Sequence, residues 1–383
     1  MRIAIRSSRE YSRKIELMCR SLFEVEQIYF VEPINYFCGS QNVDSKIISN
    51  YCAFELYKDG NIDKFFIPEA IGVRAIKAVK KEMEGFGINP EDVIYVKNSL
   101  IEGEGQYFDK KKRDELLVNH LYRSMDYLEF HVVDQCNLNC NNCTHFSPYV
   151  DGEVFANLKS VKRDLKRLKE LVDGIGEIRI MGGECLLNPD LEGYIKAVRD
   201  IYPYSNLHIV TNGIIADHMP NALVQTIKEQ GTIVDVSAYP PLFGKIDSLA
   251  RYFNDKGIRW CISDPIFKFS KIVDVEQTIT YPYRSTQGQF GCDCKNLLNG
   301  KIAICPTVCY SQYGDKAYGE GVISGLSERG FVDLDKIASY DELMKLINTP
   351  CELCNHCLFY RSEYDDSLWE NWRPTKKIDI MRD

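Results

Sequence analysis

The stretch YLEFHVVDQCNLNCNNCTHFSP, residues 127–148, decides how this chain is read. YLEFHVV is a short apolar strand candidate, and it feeds a loop that holds Cys136, Cys140 and Cys143 within eight positions, with His145 two residues beyond. Thiols at that density need a reason. The chain has 15 cysteines, an odd number and clustered, and its N-terminus MRIAIRSSREYSRK lacks the apolar run of a secretory signal. A disulfide framework therefore explains them poorly, and metal or redox chemistry explains them better. Cys19, Cys38 and Cys52 stand singly and read as small buried hydrophobes. A second knot holds Cys292, Cys294, Cys305 and Cys309, and a third holds Cys351, Cys354 and Cys357, while Cys185 and Cys261 stand apart.

Downstream of the loop, strand and helix patterns alternate. NLKSVKRDLKRLKELVDGIG places Leu158, Val161, Leu165, Leu168 and Val172 at helical spacing, and EIRIM then leads into Gly182-Gly183-Glu184. Asn188-Pro189 reads as the start of the helix DLEGYIKAVRDIY. NLHIVTNG, NALVQTIKEQG, TIVDVSAY, KIDSLARYFNDKG and IRWCIS continue the alternation. Strands with intervening helices imply parallel pairing in a βα barrel or doubly wound sheet. Such folds collect their chemistry on loops at the strands' C-terminal ends. The cysteine loop, Gly182-Gly183-Glu184 and Thr211-Asn212-Gly213 all follow strand candidates, so all three should face one site.

Upstream, MRIAIR, EQIYFVEP, DKFFIPEA and EDVIYVKN are strand candidates separated by helix-like stretches. They predict a small Rossmann-like α/β domain over residues 1–105, with no GxGxxG to support a dinucleotide site. GQYFDKKKRDELLVNH reads as a connector with a solvated face. A length of 383 residues fits two or three domains. The net charge of −8 disfavours nucleic acid as a partner, and no window is apolar enough to span a membrane. The chain is expected to be cytoplasmic.

A cubane iron-sulfur cluster usually takes four thiolates. Cys136-x3-Cys140-x2-Cys143 supplies three, which leaves one iron open for a substrate. This spacing resembles the radical S-adenosylmethionine (radical SAM) superfamily, in which the open iron of a [4Fe-4S] cluster chelates S-adenosylmethionine and an electron cleaves its sulfonium. The resulting 5′-deoxyadenosyl radical takes hydrogen from an unactivated carbon. The resemblance implies a partial (β/α)6 barrel over residues 125–285. It also implies that Gly182, Gly183 and Glu184 meet the methionine moiety, and that Thr211 and Asn212 lie near the ribose. Where the family often has an aromatic residue packing by the adenine, this chain has Asn142. His145, beside the loop, is a candidate contact to the nucleoside or substrate. The competing reading of the loop is a closed zinc site of Cys136, Cys140, Cys143 and His145, which would not require Gly-Gly-Glu and Thr-Asn-Gly at the next two strand ends.

In the C-terminal part, a glycine turn between Cys294 and Cys305 and the closing CxxC of PCELCNHC resemble the twitch or SPASM extension, which carries an auxiliary iron-sulfur cluster. That comparison implies a small auxiliary-cluster domain over residues 286–383, with at least one auxiliary [4Fe-4S] cluster held by Cys294, Cys305, Cys354 and Cys357. Cys351 is a rival ligand, Cys292 and Cys309 are candidates for a second cluster or bystanders, and a structural zinc is the alternative. CTHFSP, the LNGKIAICP hairpin and the N-terminal layer resemble radical enzymes of surface-polysaccharide and sugar modification. The implied substrate is a small carbohydrate, nucleotide sugar or aminocyclitol, undergoing oxidation or epimerisation, with a flavodoxin or ferredoxin as electron donor. Cys185 and Tyr239 are candidate hydrogen donors beside the radical, each with the plainer reading of a packed side chain. A peptide maturase is the alternative enzyme, and a metal-stabilised binding module without turnover is the alternative of another class. Trp369 and Trp372 either cover the barrel mouth or dock the C-terminus.

Overall fold

The structure, a computed structural model, describes residues 1–7, 9–32, 47–101, 110–117, 122–276, 293–359, 362 and 365–376. Its contacts divide it into two compact units, Met1–Ser124 and Met125–Asp383.

The first unit is a parallel sheet of β1 (Arg2–Arg6), β2 (Gln27–Glu32), β3 (Ile47–Ser49), β4 (Lys64–Pro68) and β5 (Val93–Val96), in the order β3-β2-β1-β4-β5. Helices α1 (Arg9–Leu22), α2 (Asn50–Lys58), α3 (Val73–Gly85), α4 (Asn98–Ile101) and α5 (Lys110–Leu117) complete it. Successive residues of a strand point to opposite faces, and here both faces are buried. Ile3 and Ile5 pack with Ile15 and Met18 of α1, whereas Ala4 packs with Phe54 of α2 and Ile76 of α3. That two-sided burial explains why these strands read as apolar runs. Cys19 belongs to the α1 side of this core, and burial pushes its thiol up. Cys52 is half-buried, and Cys38 lies outside the described residues.

The second unit is built on β6 (Ser124–His131), β7 (Gly174–Met181), β8 (Asn206–Thr211), β9 (Ile233–Val236) and β10 (Arg259–Ile262). Helices α6 (Leu158–Leu171), α7 (Leu191–Ile201), α8 (Asn221–Glu229) and α9 (Ile246–Lys256) alternate with them. Leu128, Phe130, Ile178, Ile180, Leu207, Ile209, Val234 and Val236 form one core with Leu165, Leu168, Ile195, Val198, Ile227 and Phe253 of the helices. The opposite strand face is polar, as a half-open barrel requires.

Two features depart from the expected architecture. Among the described residues no sixth strand follows β10. Instead, β11 (Lys268–Ser270) pairs antiparallel with β15 (Trp369–Asn371) from the C-terminus. The C-terminal cysteine segment is also not a separate body. Its strands β12 (Asn296–Leu298), β13 (Lys301–Ala303) and β14 (Phe331–Asp333) continue the barrel sheet beyond β6, giving the order β10-β9-β8-β7-β6-β12-β13-β14. Asn296 ties the joint by donating to Glu129 of β6 at 2.8 Å. The unit is completed by α10 (Pro306–Cys309), α11 (Ser311–Tyr318), α12 (Val322–Ser327) and α13 (Tyr340–Ile347). Among the described residues no helix is long and apolar enough to cross a membrane.

Candidate functional site at the strand ends

The cysteine loop leaves β6 and is shaped by three residues with left-handed backbone, Asn139, Asn142 and Phe146, at φ of 52°, 52° and 53°. Asparagine tolerates that region far better than a bulky residue. The backbone turns at Asn142, the residue before the third cysteine, and Phe146 shows that the loop also holds an aromatic residue in this conformation. The side chain of Asn142 donates to Glu370 at 3.3 Å.

The glycines of Met181-Gly182-Gly183-Glu184 have a steric reason. Gly183 N–H donates to Val133 O and Glu184 N–H to Gln135 O, at 2.9 and 3.1 Å, so the segment is laced to the start of the loop. A Cβ at Gly182 would lie 2.3 Å from Val133 O, and one at Gly183 2.3 Å from Gln135 O. Glu184 is buried at 1% exposure, and its carboxylate accepts from Thr211 Oγ1 at 2.7 Å, Asn212 N at 2.8 Å and Leu186 N at 3.1 Å. Glu184 and Thr211 thus bind one another between β7 and β8. Asn212 turns toward the loop and donates to Asn137 Oδ1 at 2.7 Å, with Cys136 Sγ at 3.8 Å. Cys185 is fully buried and donates to Val210 O at 3.0 Å, the surroundings of a packed thiol.

Each loop sulfur faces its own N–H donors. Cys136 accepts from Leu138 N at 3.5 Å, and Cys140 accepts from Trp372 Nε1 at 3.0 Å. Burial pushes Cys140 up to about 12, and the indole works against that rise. Burial also opposes ionisation of Cys143, but His145 and the backbone N–H groups of Ser147 and His145 bring it below its ordinary value. His145 is drawn into a buried chain. Its ring lies 4.8 Å from that of His131, and its Nε2 lies 3.6 Å from Glu129 Oε1, an ion-pair distance. Burial works against its charge, yet Cys143 and Glu129 raise it to about 10. Tyr239, at the end of β9, is half-buried and stacks on Phe269. Burial, and after it chiefly the charges of Cys140 and Cys143, push its hydroxyl up. The fold therefore brings Cys136, Cys140, Cys143, Gly182, Gly183 and Asn212 together, holds Glu184, Cys185 and Thr211 behind them, and sets Tyr239 three residues beyond β9.

The polar strand face below the loop carries residues that the sequence analysis did not single out. Arg179 of β7 bonds Glu177 at 2.7 Å and lies 3.3 Å from Asp235 of β9. Burial opposes ionisation of Asp235, but His208 and Arg179 hold its carboxyl below the usual range. Tyr127 donates to Glu129, and both groups act on the nearby Cys294 thiol.

In the C-terminal knot, Cys351 and Cys354 lie 4.0 Å apart, sulfur to sulfur. The Cys354 thiol and then burial act on Cys351 in opposite senses, with backbone N–H groups adding to the first, and it is drawn down to about 7. Cys305 is near enough to act on Cys354, and Cys309 on the far side of α10 is buried. Cys294 lies two residues before β12, where burial and then the Glu129 carboxylate push its thiol up to about 12. Cys357 follows the short helix Glu352–His356 and bridges to Val273. Cys292 lies outside the described residues.

The donor set bears on the choice of metal. Thiolates on one tetrahedral zinc sit roughly 3.8 Å apart, given Zn–S of about 2.3 Å. Among the described residues the set of three ligand atoms within 4.8 Å of one another is His208, Asp235 and Cys261, not the loop cysteines with His145. Three loop thiols, each supplied with N–H donors, fit a cubane cluster that leaves one iron open. A cavity of about 710 Å³ opens on the outer side of the loop, lined by Cys136, Asn137, Leu187, Ile214, Met219 and Lys245 among others.

Comparison with known proteins agrees with this region. Residues 131–239 match the family model described as Radical SAM superfamily. GTP 3′,8-cyclase of Aliarcobacter butzleri is 36% identical over 111 residues, which are 28% of this chain and 33% of that protein. The chain thus spans about a third of the length of the curated relatives it matches. Among solved structures, BtrN in complex with AdoMet and 2-DOIA is 16% identical, with 61% of this chain and 92% of that chain covered at a TM-score of 0.35. Streptococcus suis SuiB bound to precursor peptide SuiA is 18% identical, with coverage of 50% and 46% and a TM-score of 0.32. The likeness to the radical SAM superfamily is thus confined to residues 131–239, the segment that carries the cysteine loop and the ends of β6 to β9.

Proposed function

We propose that the protein is a radical SAM enzyme acting on a small sugar-like molecule, with Cys136, Cys140 and Cys143 holding a [4Fe-4S] cluster. The observation that carries this reading is three separately supported thiols on the loop after β6, inside the matched segment, with the ends of β7 and β8 hydrogen-bonded to that loop. When bound, the cluster would supply the electron that cleaves S-adenosylmethionine, whose 5′-deoxyadenosyl radical takes hydrogen from the substrate. The protein's own part is positional. Gly182 and Gly183 let β7 approach the loop, and Asn212 fixes Asn137 behind Cys136. Tyr239, shielded and kept protonated, is the candidate hydrogen donor at the open side.

The strand face below supports the substrate class. Arg179 pairs with Glu177 and Asp235, and Glu129 takes Tyr127, Asn296 and His145, so the face is a polar network and not an apolar wall. Carboxylates in such a network have further lone pairs, which hydroxyl and amino groups of a sugar or aminocyclitol would meet. Cys305, Cys351 and Cys354, with Cys294 or Cys357 as fourth ligand, are the candidates for an auxiliary cluster, and the 4.0 Å between Cys351 and Cys354 makes a structural zinc the competing occupant. Such a cluster would accept the substrate's electron in an oxidation.

The test is anaerobic reconstitution with iron and sulfide, followed by iron counting and detection of 5′-deoxyadenosine after reduction. About eight irons with nucleoside release is the expected result for two four-iron clusters. Release with about four irons would remove the auxiliary cluster, and neither iron nor release would sink the enzyme reading.

A further inference from the structure

The C-terminal strap approaches the cysteine loop in a way that neither the expected fold nor the matched segment includes. Asn141 N donates to Arg373 O at 3.0 Å, Arg373 N to Asn141 Oδ1 at 2.9 Å, and Thr375 N to Asn139 O at 2.9 Å, while Cys140 and Pro374 form a β-bridge. On the other side of the strap, β15 pairs with β11 and Trp372 N donates to Phe267 O at 2.8 Å. Trp372 is therefore fixed in register from both sides. Its indole packs against the barrel core, and Nε1–H donates to Cys140 Sγ at 3.0 Å. A residue 232 positions away supplies the donor for the middle cysteine.

We propose that Trp372 is a positioning residue that sets the reduction potential of the cluster held by this loop; this rests on the radical SAM reading above. Reduction adds one electron, supplied by a low-potential donor, and part of that charge appears on the ligand sulfurs. An N–H aimed at a sulfur stabilises the more negative state, so the potential rises and the cluster accepts an electron more easily. Phenylalanine keeps the ring's packing and loses the N–H. Trp369 provides the internal control, because it lies in the same strap and its Nε1–H goes to Ser362 O at 2.6 Å, away from the cysteines.

The experiment uses the full chain, reconstituted anaerobically as wild type, Trp372→Phe and Trp369→Phe. Iron and sulfide are counted, and the midpoint potential is read from the electron paramagnetic resonance signal that changes on adding S-adenosylmethionine. The expected result is equal iron in all three, with a more negative midpoint in Trp372→Phe alone. Nucleoside release by that variant should fall with a weak reductant and recover with titanium(III) citrate. An unchanged midpoint would overturn the proposal, as would an equal shift in Trp369→Phe. Loss of iron from Trp372→Phe would overturn it too, making the indole a latch for assembly. A wild type without iron would instead remove the radical SAM reading on which the proposal depends.

Discussion

The two cysteine-rich regions of the second unit differ in who holds the sulfurs. In the loop after β6, three thiols are kept apart, and each takes its donors from a different source: Leu138 in the loop itself, Trp372 in the strap, and His145 just beyond the loop. In the C-terminal knot, Cys351 and Cys354 touch at 4.0 Å and support each other at the start of one short helix. Sulfurs held apart by separate elements suit a group that bridges them and leaves a position open. Sulfurs pressed into a pair suit a metal enclosed on all sides, once Cys305 and a partner close over it.

This contrast can be broken experimentally. The largest expected effect is in the combined Cys136→Ala, Cys140→Ala and Cys143→Ala variant, which should lose about four irons per chain and all nucleoside release while keeping the knot's metal. Iron content equal to wild type would mean that the loop binds none. Replacing Cys351 and Cys354 by serine should give the reverse pattern, with the knot's metal lost and nucleoside release retained within a few-fold; abolition of release would make the two regions one functional unit.

Smaller effects test the scaffold. Gly183→Ala must displace the Gln135 carbonyl and should cost about 3 kcal/mol in urea unfolding, in the upper range of overpacking effects. Gly244→Ala, whose new Cβ meets nothing within 4 Å, should stay within about 0.5 kcal/mol. Equal midpoints for the two would contradict the close approach of β7 to the loop. Asn142→Phe should cost about 1 kcal/mol because φ there is 52°. A neutral result would show that the turn can relax. Cys185→Ala should cost about 1 kcal/mol of stability from its buried site, with nucleoside release unchanged.

Much of the barrel was legible because its strands and helices carry distinct periods, and the apolar sides of β6 to β10 are those that meet the helices. The loop cysteines were legible because CxxxCxxC is local. Arg179, Asp235 and Glu129 were not, since each is one polar residue on a strand and acquires meaning only when neighbouring strands set them side by side. His145 was singled out by its place beside the loop, and only the tertiary structure supplied the partners that hold its ring, His131 and Glu129.

The sequence by itself determined what is local: which segments are strands, where glycines permit close approach, and that three thiols sit on one loop after a strand. Tertiary structure alone decided what joins distant segments. It extended the barrel sheet with β12 to β14, enclosed Glu184 between Thr211 and Asn212, and carried Trp372 across 232 positions to Cys140. The physical reason is that a hydrogen bond requires its donor and acceptor within about 3.5 Å and aligned, and for groups far apart in the chain only the packing of whole elements fixes that geometry.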